Sequence, residues 1–324
     1  TGAEGMSAEK VIRAAIIKQM EGFSYEGLAF HLLDSVCYRY FCRIGFADKG
    51  FQKSALCNNI KAISPETWEA VNRILIAYGQ DKNIEKGKQS RIDCTVVSSN
   101  IHKPTDSSLL WDSVRVLTRM LGQINERFDD LEILFSDHTK RAKRRMLGVM
   151  NAKNKKIRKK QYEDLLTVTH KTLNYANNAV SLLVAHPFKY FSPSKTAQDI
   201  AEELKEIIRL TYKVIDQTTR RVIHGESVPA YEKIVSIFEP HTDIIVKDRR
   251  DTFYGHKVCL SGGASNLITD CLILEGNPAD TDLTIQMLDR HETIYGHYPV
   301  KVALDVGFAS KTNLESAKGK GIKD

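Results

Sequence analysis

Arg91-Ile92-Asp93-Cys94-Thr95-Val96-Val97 is a run of strand-forming residues with a single acid in it. It follows a charged segment and precedes the turn-prone residues 100–104, so it predicts a β-strand that carries Asp93. A second such run, Val300-Lys301-Val302-Ala303-Leu304-Asp305, ends on an acid just before Gly307. Acids near the carboxyl ends of strands can point into the crevice where open α/β sheets bind ligands. Two carboxylates on adjacent strands, about 4.8 Å apart, suit the two-metal template for phosphoryl transfer, whose cations lie roughly 3.5–4 Å apart. Taken singly, each aspartate reads as a solvated strand-end residue before it reads as a ligand.

With 324 residues, 42% of them apolar, the chain predicts two or more globular domains. It contains no run of 18 apolar residues and no secretory signal ahead of its first helix, which predicts a cytoplasmic protein with no membrane partner. The opening Thr1-Gly2-Ala3-Glu4-Gly5-Met6 reads as the middle of something longer. Cys37, Cys42, Cys57, Cys94, Cys259 and Cys271 form no C-x-x-C pair and read as reduced, buried thiols rather than zinc ligands.

The net charge of +7 is concentrated in one place. Lys140, Arg141, Lys143, Arg144, Arg145, Lys153, Lys155, Lys156, Arg158, Lys159 and Lys160 fall within 140–160 with no acid among them, and the rest of the chain is net negative. Such a block can track a phosphate backbone, because neutralising phosphates releases counterions. It can equally be a solvated helical connector.

Residues 1–88 read as a helical domain. Val11, Ile12, Ala15, Ile16 and Met20 recur at helical spacing between an N-cap at Ser7 and a stop at Gly22. A second helix starts at Ser24, a third runs from about Lys53 through Ile60, and Ser64-Pro65-Glu66 opens a fourth. These helices permit a helix-turn-helix, in which Lys53, Asn58, Asn59 and Lys61 would face DNA, or plain helical packing. Residues 89–104 hold the Asp93 strand. Residues 105–230 read as a helical insertion, with segments near 107–134, 137–150, 157–185 and 196–223; His186-Pro187 ends the third of these and Gly225 the last.

Strands resume in 231–324. Residues 234–238 and 243–246 predict a small hairpin, and residues 257–260 and 268–274 flank Ser261-Gly262-Gly263-Ala264-Ser265-Asn266. That cluster is a turn rather than a phosphate cradle, since no helix N-terminus follows it. A helix over 281–295, the Asp305 strand and a helix from about Ser310 complete the order. Without the insertion this is β-β-β-α-β-α. The expected fold is therefore mixed α/β: a ribonuclease-H-like mixed sheet, with its first and fourth strands adjacent, behind a helical amino-terminal domain.

The block Asp93-Cys94-Thr95-Val96-Val97, followed by Asn100-Ile101-His102-Lys103-Pro104-Thr105-Asp106-Ser107-Ser108-Leu109-Leu110-Trp111-Asp112, resembles the first catalytic block of bacterial insertion-sequence transposases of the Asp-Asp-Glu class. Tyr254-Gly255-His256-Lys257, Glu275-Gly276-Asn277-Pro278-Ala279-Asp280 and Asp305-Val306-Gly307-Phe308-Ala309-Ser310 are similar to the later blocks. Gly22-Phe23-Ser24-Tyr25-Glu26-Gly27-Leu28-Ala29 is similar to part of their helical amino-terminal domain.

The resemblance implies metal-dependent hydrolysis and strand transfer at DNA phosphodiesters, with Mg2+ or Mn2+ in a two-metal site. Asp93 and Asp305 match its two aspartates. Its glutamate is expected on a helix beyond a fifth strand, past Asp324, and Glu315 reads as a surface residue. Val306 stands where a glycine is frequent. The insertion after the first strand differs from better-known members, in which it comes later. Implied partners are double-stranded DNA, as element ends and target, and a second copy of the chain on that DNA, with nucleoid association in a bacterial cytoplasm.

His256 and Lys257 read as contacts to DNA phosphate or the metal site, or as an edge-strand surface. His102 and Asp106 read as shaping the crevice or as turn residues, with Asp106 capping the next helix. Two other readings stand beside the transposase: a non-catalytic DNA-binding or assembly protein derived from one, and a ribonuclease-H-like nuclease.

Overall fold

The computed structural model describes residues 5–128, 131–185, 196–247 and 251–323. Five helices come first: α1 (Ala8–Glu21), α2 (Tyr25–Asp34), α3 (Val36–Phe41), α4 (Lys53–Lys61) and α5 (Pro65–Asp81). Ser7, Ser24, Ser35 and Ser64 cap four of them, each hydroxyl accepting an amide hydrogen bond from the first turn. Gly22 ends α1 in the left-handed region, at φ 66°. Ala14, Ile17, Leu28, Leu32, Cys42, Ile44 and Leu56 form a small core here. The short α3 was not expected from the sequence.

Strand β1 (Gln89–Ser98) follows and then the insertion: α6 (Asp106–Arg127), α7 (Thr139–Met150), α8 (Lys155–Ala185) and α9 (Ala197–Thr218), which runs into a π-helical turn at Thr219–His224. The largest core of the molecule lies between these helices, around Leu110, Leu117, Leu165, Leu173, Leu204 and Val214. The segment expected to stay helical from 107 to 134 stops at Arg127. Asn125 explains the stop, because its side-chain amide donates to the Ile133 carbonyl and its side-chain oxygen accepts from the Ile133 amide, both at 2.9 Å. Such side-chain pairing competes with the helix for the backbone. His186 and Pro187, expected to close α8, lie outside the described residues.

The remaining elements are β2 (Asp243–Lys247), β3 (Asp251–Gly262), β4 (Ile268–Ile273), α10 (Asp280–Tyr295), β5 (Lys301–Leu304) and α11 (Lys311–Gly319). The chain is mixed α/β. In the sheet β1 lies between antiparallel β3 and parallel β5, as the sequence predicted for the two aspartate-bearing strands. β3 also pairs antiparallel with β2 and with β4.

Residues 234–238 are not a strand; the hairpin is β2 with β3. The apolar Ile234 and Ile237 are buried in the insertion's core, and the Gln217 side chain takes both the amide and the carbonyl of Ile234. Those backbone groups therefore need no sheet partner.

α10 and α11 cover one face of the sheet. Ile92, Cys259, Leu274, Leu283, Met287, Leu288 and Phe308 form the core between them, and strand alternation sends Asp93 to the opposite face. α5 leaves the amino-terminal core and docks on the rim of β4. There Asn72 donates to the Thr269 carbonyl, and Arg290 grips the buried Asp270 at 2.5 and 2.8 Å.

Candidate metal and nucleic-acid site

The parallel ladder ends with Ile92 opposite Leu304, and the next residue along each chain is an aspartate. Ile92 is 1% exposed, whereas the Asp93 side chain is 62% exposed. One Asp93 oxygen accepts from its neighbour's amide, Cys94 N, at 2.8 Å; the other is 4.0 Å from Arg91 Nη2. Asp305 is also exposed, and its Oδ1 accepts from the Val306 amide at 2.6 Å.

Both aspartates stand on fixed backbone. Behind Asp305, Phe308 is buried in the core and its carbonyl accepts from Thr284 Oγ1 and Asn313 Nδ2, each at 3.0 Å. Two exposed carboxylates at matched ends of neighbouring strands form a donor set of hard oxygens with open positions. That chemistry suits Mg2+ or Mn2+ rather than a soft metal. Among the described residues, no three or more His, Cys, Asp or Glu side chains are grouped to hold a metal ion.

No family model, curated protein or solved structure matches the chain.

Lys257 is neither at an edge nor on the surface: it lies in the interior strand β3 and is 8% exposed. It alternates onto the covered face with Cys259, where its ammonium donates to the Pro278 carbonyl at 2.6 Å and pairs with Asp280 at 2.7 Å. His256, directly opposite Val97, faces the same side as Asp93. Glu315 is exposed, 4.0 Å from Lys311.

Asp106 is not the cap of α6. Thr105 is, in a reciprocal capping box with Ser108. Asp106 is buried and accepts from Arg221 at 2.8 and 3.0 Å and from Gln217 at 3.2 Å, joining the start of the insertion to its end. His102 leans on Asp112, which is 1% exposed, at 2.7 Å, and Arg115 holds the same carboxylate at 2.6 Å. Burial opposes charge on His102, but its hydrogen bonds to Asp112 and the Lys103 carbonyl outweigh that and hold it above the ordinary histidine range. Arg115 in turn stacks between Trp111 and Phe238. Sequence reasoning missed Arg115 and Arg221, because nothing local distinguishes them from other helix-surface arginines.

The basic block folds as two packed helices, α7 and the start of α8, rather than as a loose linker. Ala142, Met146 and Val149 face the core, and ten of the eleven cations are exposed, Arg145 being partly buried. Some of the charge is used internally: Arg141 and Arg145 both bind Asp164, whose carboxyl is held below the usual range chiefly by the Arg141 hydrogen bond. Lys159 donates to the Ile223 carbonyl at 3.2 Å, and Lys143 lies 5.9 Å from the Trp111 ring centre. Lys140, Arg144, Lys153, Lys155, Lys156, Arg158 and Lys160 project from the same helical pair. In the amino-terminal domain, Lys53 pairs with Glu26 and Asn59 bonds its own helix at Ala55, while Asn58 and Lys61 are exposed.

Proposed function

We propose that this chain belongs to a DNA transposase of the Asp-Asp-Glu class, acting on phosphodiesters by metal-dependent hydrolysis and strand transfer. The observation that carries the reading is that Asp93 and Asp305 directly follow the last pair of the parallel β1–β5 ladder and are both exposed, with Asp93 on the face opposite the α10–α11 core. The order β3–β1–β5, with β1 antiparallel to one neighbour and parallel to the other, supports a ribonuclease-H-like arrangement of the sheet.

Asp93 and Asp305 would hold Mg2+ or Mn2+, which when bound supplies an activated water or 3′-hydroxyl and stabilises the leaving 3′-oxygen. The aspartates contribute hard anionic ligands held by rigid backbone, and their exposure leaves room for a phosphate to approach. The exposed cations of α7 and α8 attract double-stranded DNA without reading its sequence. A third acid belongs to this chemistry, and the resemblance places it on a helix that follows a further strand. Two copies on paired DNA ends, in a bacterial cytoplasm and at the nucleoid when bound, complete the reading. No described helix is long and apolar enough to cross a membrane.

The test is nicking of supercoiled plasmid by the full-length protein in Mg2+ and Mn2+, compared with Asp93→Asn and Asp305→Asn. Nicking that needs the cation and is lost in both variants supports the proposal. Nicking that persists in Asp93→Asn overturns it. DNA binding without any nicking by the full-length protein favours the binding or assembly protein instead.

A further inference from the structure

The β2–β3 hairpin carries two histidines that the function above does not use. Asp243, the first residue of β2, pairs with Gly255 of β3, which sets His241 just before one strand beside His256 on the other. The framework around them is tight. A side chain at Gly255 would fall 2.0 Å from the Val97 carbonyl oxygen, so only glycine lets β3 approach β1 this closely. Thr242 is buried and donates to Ser99 Oγ at 2.9 Å, and Asp243 Oδ2 accepts from the Gly276 amide at 3.0 Å.

His256 Nε2 lies 3.1 Å from His241 Nδ1. The outer nitrogens face carboxylates: His241 Nε2 is 3.0 Å from Glu239 Oε2, and His256 Nδ1 is 3.5 Å from Asp243 Oδ2. The neutral rings have two arrangements: one inner nitrogen donates to the other, or both ring hydrogens turn outward toward the carboxylates, which only accept, and leave two inner lone pairs for a metal ion.

We infer that His241 and His256 form a binding site for a borderline transition-metal ion, Zn2+ or a chemically similar divalent cation, in the β2–β3 hairpin. A carboxylate behind each ligating imidazole is the outer-shell arrangement that fixes tautomer and ring orientation in metal sites. The spacing fits as well. At metal–nitrogen distances of about 2.0–2.1 Å, two imidazoles are about 2.9 Å apart at a right angle and about 3.4 Å apart at the tetrahedral angle, and 3.1 Å falls between. Imidazole selects Zn2+, Ni2+ or Co2+ over Mg2+, so this site differs in kind from the oxygen pair at Asp93 and Asp305. Two protein donors leave positions for water or an anionic oxygen, and His241 is exposed enough to admit them.

Titration of the full chain with Co2+, followed by visible absorption after chelator treatment, tests this. The expected result is one equivalent bound without a thiolate-to-cobalt charge-transfer band, and competed by Zn2+ but not by Mg2+. Either His241→Ala or His256→Ala should abolish binding. Asp243→Asn should weaken it about tenfold or more, and Asp93→Asn should leave it unchanged, with circular dichroism verifying each variant's fold. Failure of the native chain to bind Co2+, a spectrum dominated by thiolate ligation, or equal binding by His256→Ala overturns the inference.

Discussion

The exposed strand ends and the interior seams of the molecule use acidic residues in opposite ways. At the strand ends Asp93 and Asp305 each accept one hydrogen bond from the next amide in the chain. In the molecule's interior seams, Glu85, Asp106, Asp112 and Asp270 are buried and each binds two or more donors, from distant segments at Glu85, Asp106 and Asp270. Glu85 is the fullest case: it accepts from the amides of Lys86, Gly87 and Ser265 and from the Ser265 hydroxyl, tying the approach to β1 to the β3–β4 turn. A carboxylate with all its lone pairs engaged inside the protein holds the fold together. One with lone pairs facing solvent on a rigid strand is available to a ligand.

That contrast breaks down if the wrong acids prove essential. The largest expected effect is on catalysis: Asp93→Asn should reduce metal-dependent nicking on the order of a thousandfold. Its unfolding free energy should shift by no more than about 0.5 kcal/mol, as for other exposed residues. Urea denaturation beside the plasmid assay separates the two. Asp270→Ala should do the reverse, destabilising by about 3 kcal/mol because it removes the buried partner of the partly buried Arg290 and leaves it only the exposed Glu69.

Glu85→Gln sharpens the comparison further. Burial alone would raise the Glu85 carboxyl, but its hydrogen bonds to Ser265 and the Gly87 and Lys86 amides bring it below the ordinary glutamate range. A group depressed on folding stabilises fully above its unfolded value, and that stabilisation is lost as pH falls through the folded one. Stability of the native chain should therefore decline below the usual glutamate range, and Glu85→Gln should flatten that part of the curve while costing about 2 kcal/mol at neutral pH. A parallel pair of pH curves would show that Glu85 is not the titrating group.

The smallest effect concerns the insertion. Replacing Lys153, Lys155, Lys156 and Lys160 by Ala should leave stability nearly unchanged and weaken DNA binding. The slope of log affinity against log salt should fall by about 0.9 for each phosphate that is no longer neutralised. An unaltered slope would make α7 and α8 a connector only.

Local chemistry made much of this fold readable. Ser7, Ser24, Ser64 and Ser310 cap helices where the sequence placed them, and the two β-branched runs pair in parallel. The exposure of Asp93 was legible for the same reason, since strand alternation alone assigns it to the face opposite Ile92. What was missed depends on partners remote in sequence. Residues 234–238 carry a strand-like pattern, but Gln217 satisfies the Ile234 backbone. Lys257 looks like a surface lysine until Asp280 and the Pro278 carbonyl meet it. No local signal announces that Asp112 or Asp270 is buried, because tertiary packing supplies the burial and, at Asp270, the compensating Arg290 as well.

The hydrogen bond between Ser99 and Thr242 has a consequence for modularity. The chain leaves the sheet beside Ser99, builds the whole α6–α9 bundle, and returns to the same spot at Thr242. The two side chains touch at 2.9 Å, so a short connection is long enough to join the chain across the base of the bundle. A bundle attached in this way can be lengthened, exchanged or trimmed to a short turn while the strands bearing Asp93 and Asp305 keep their alignment.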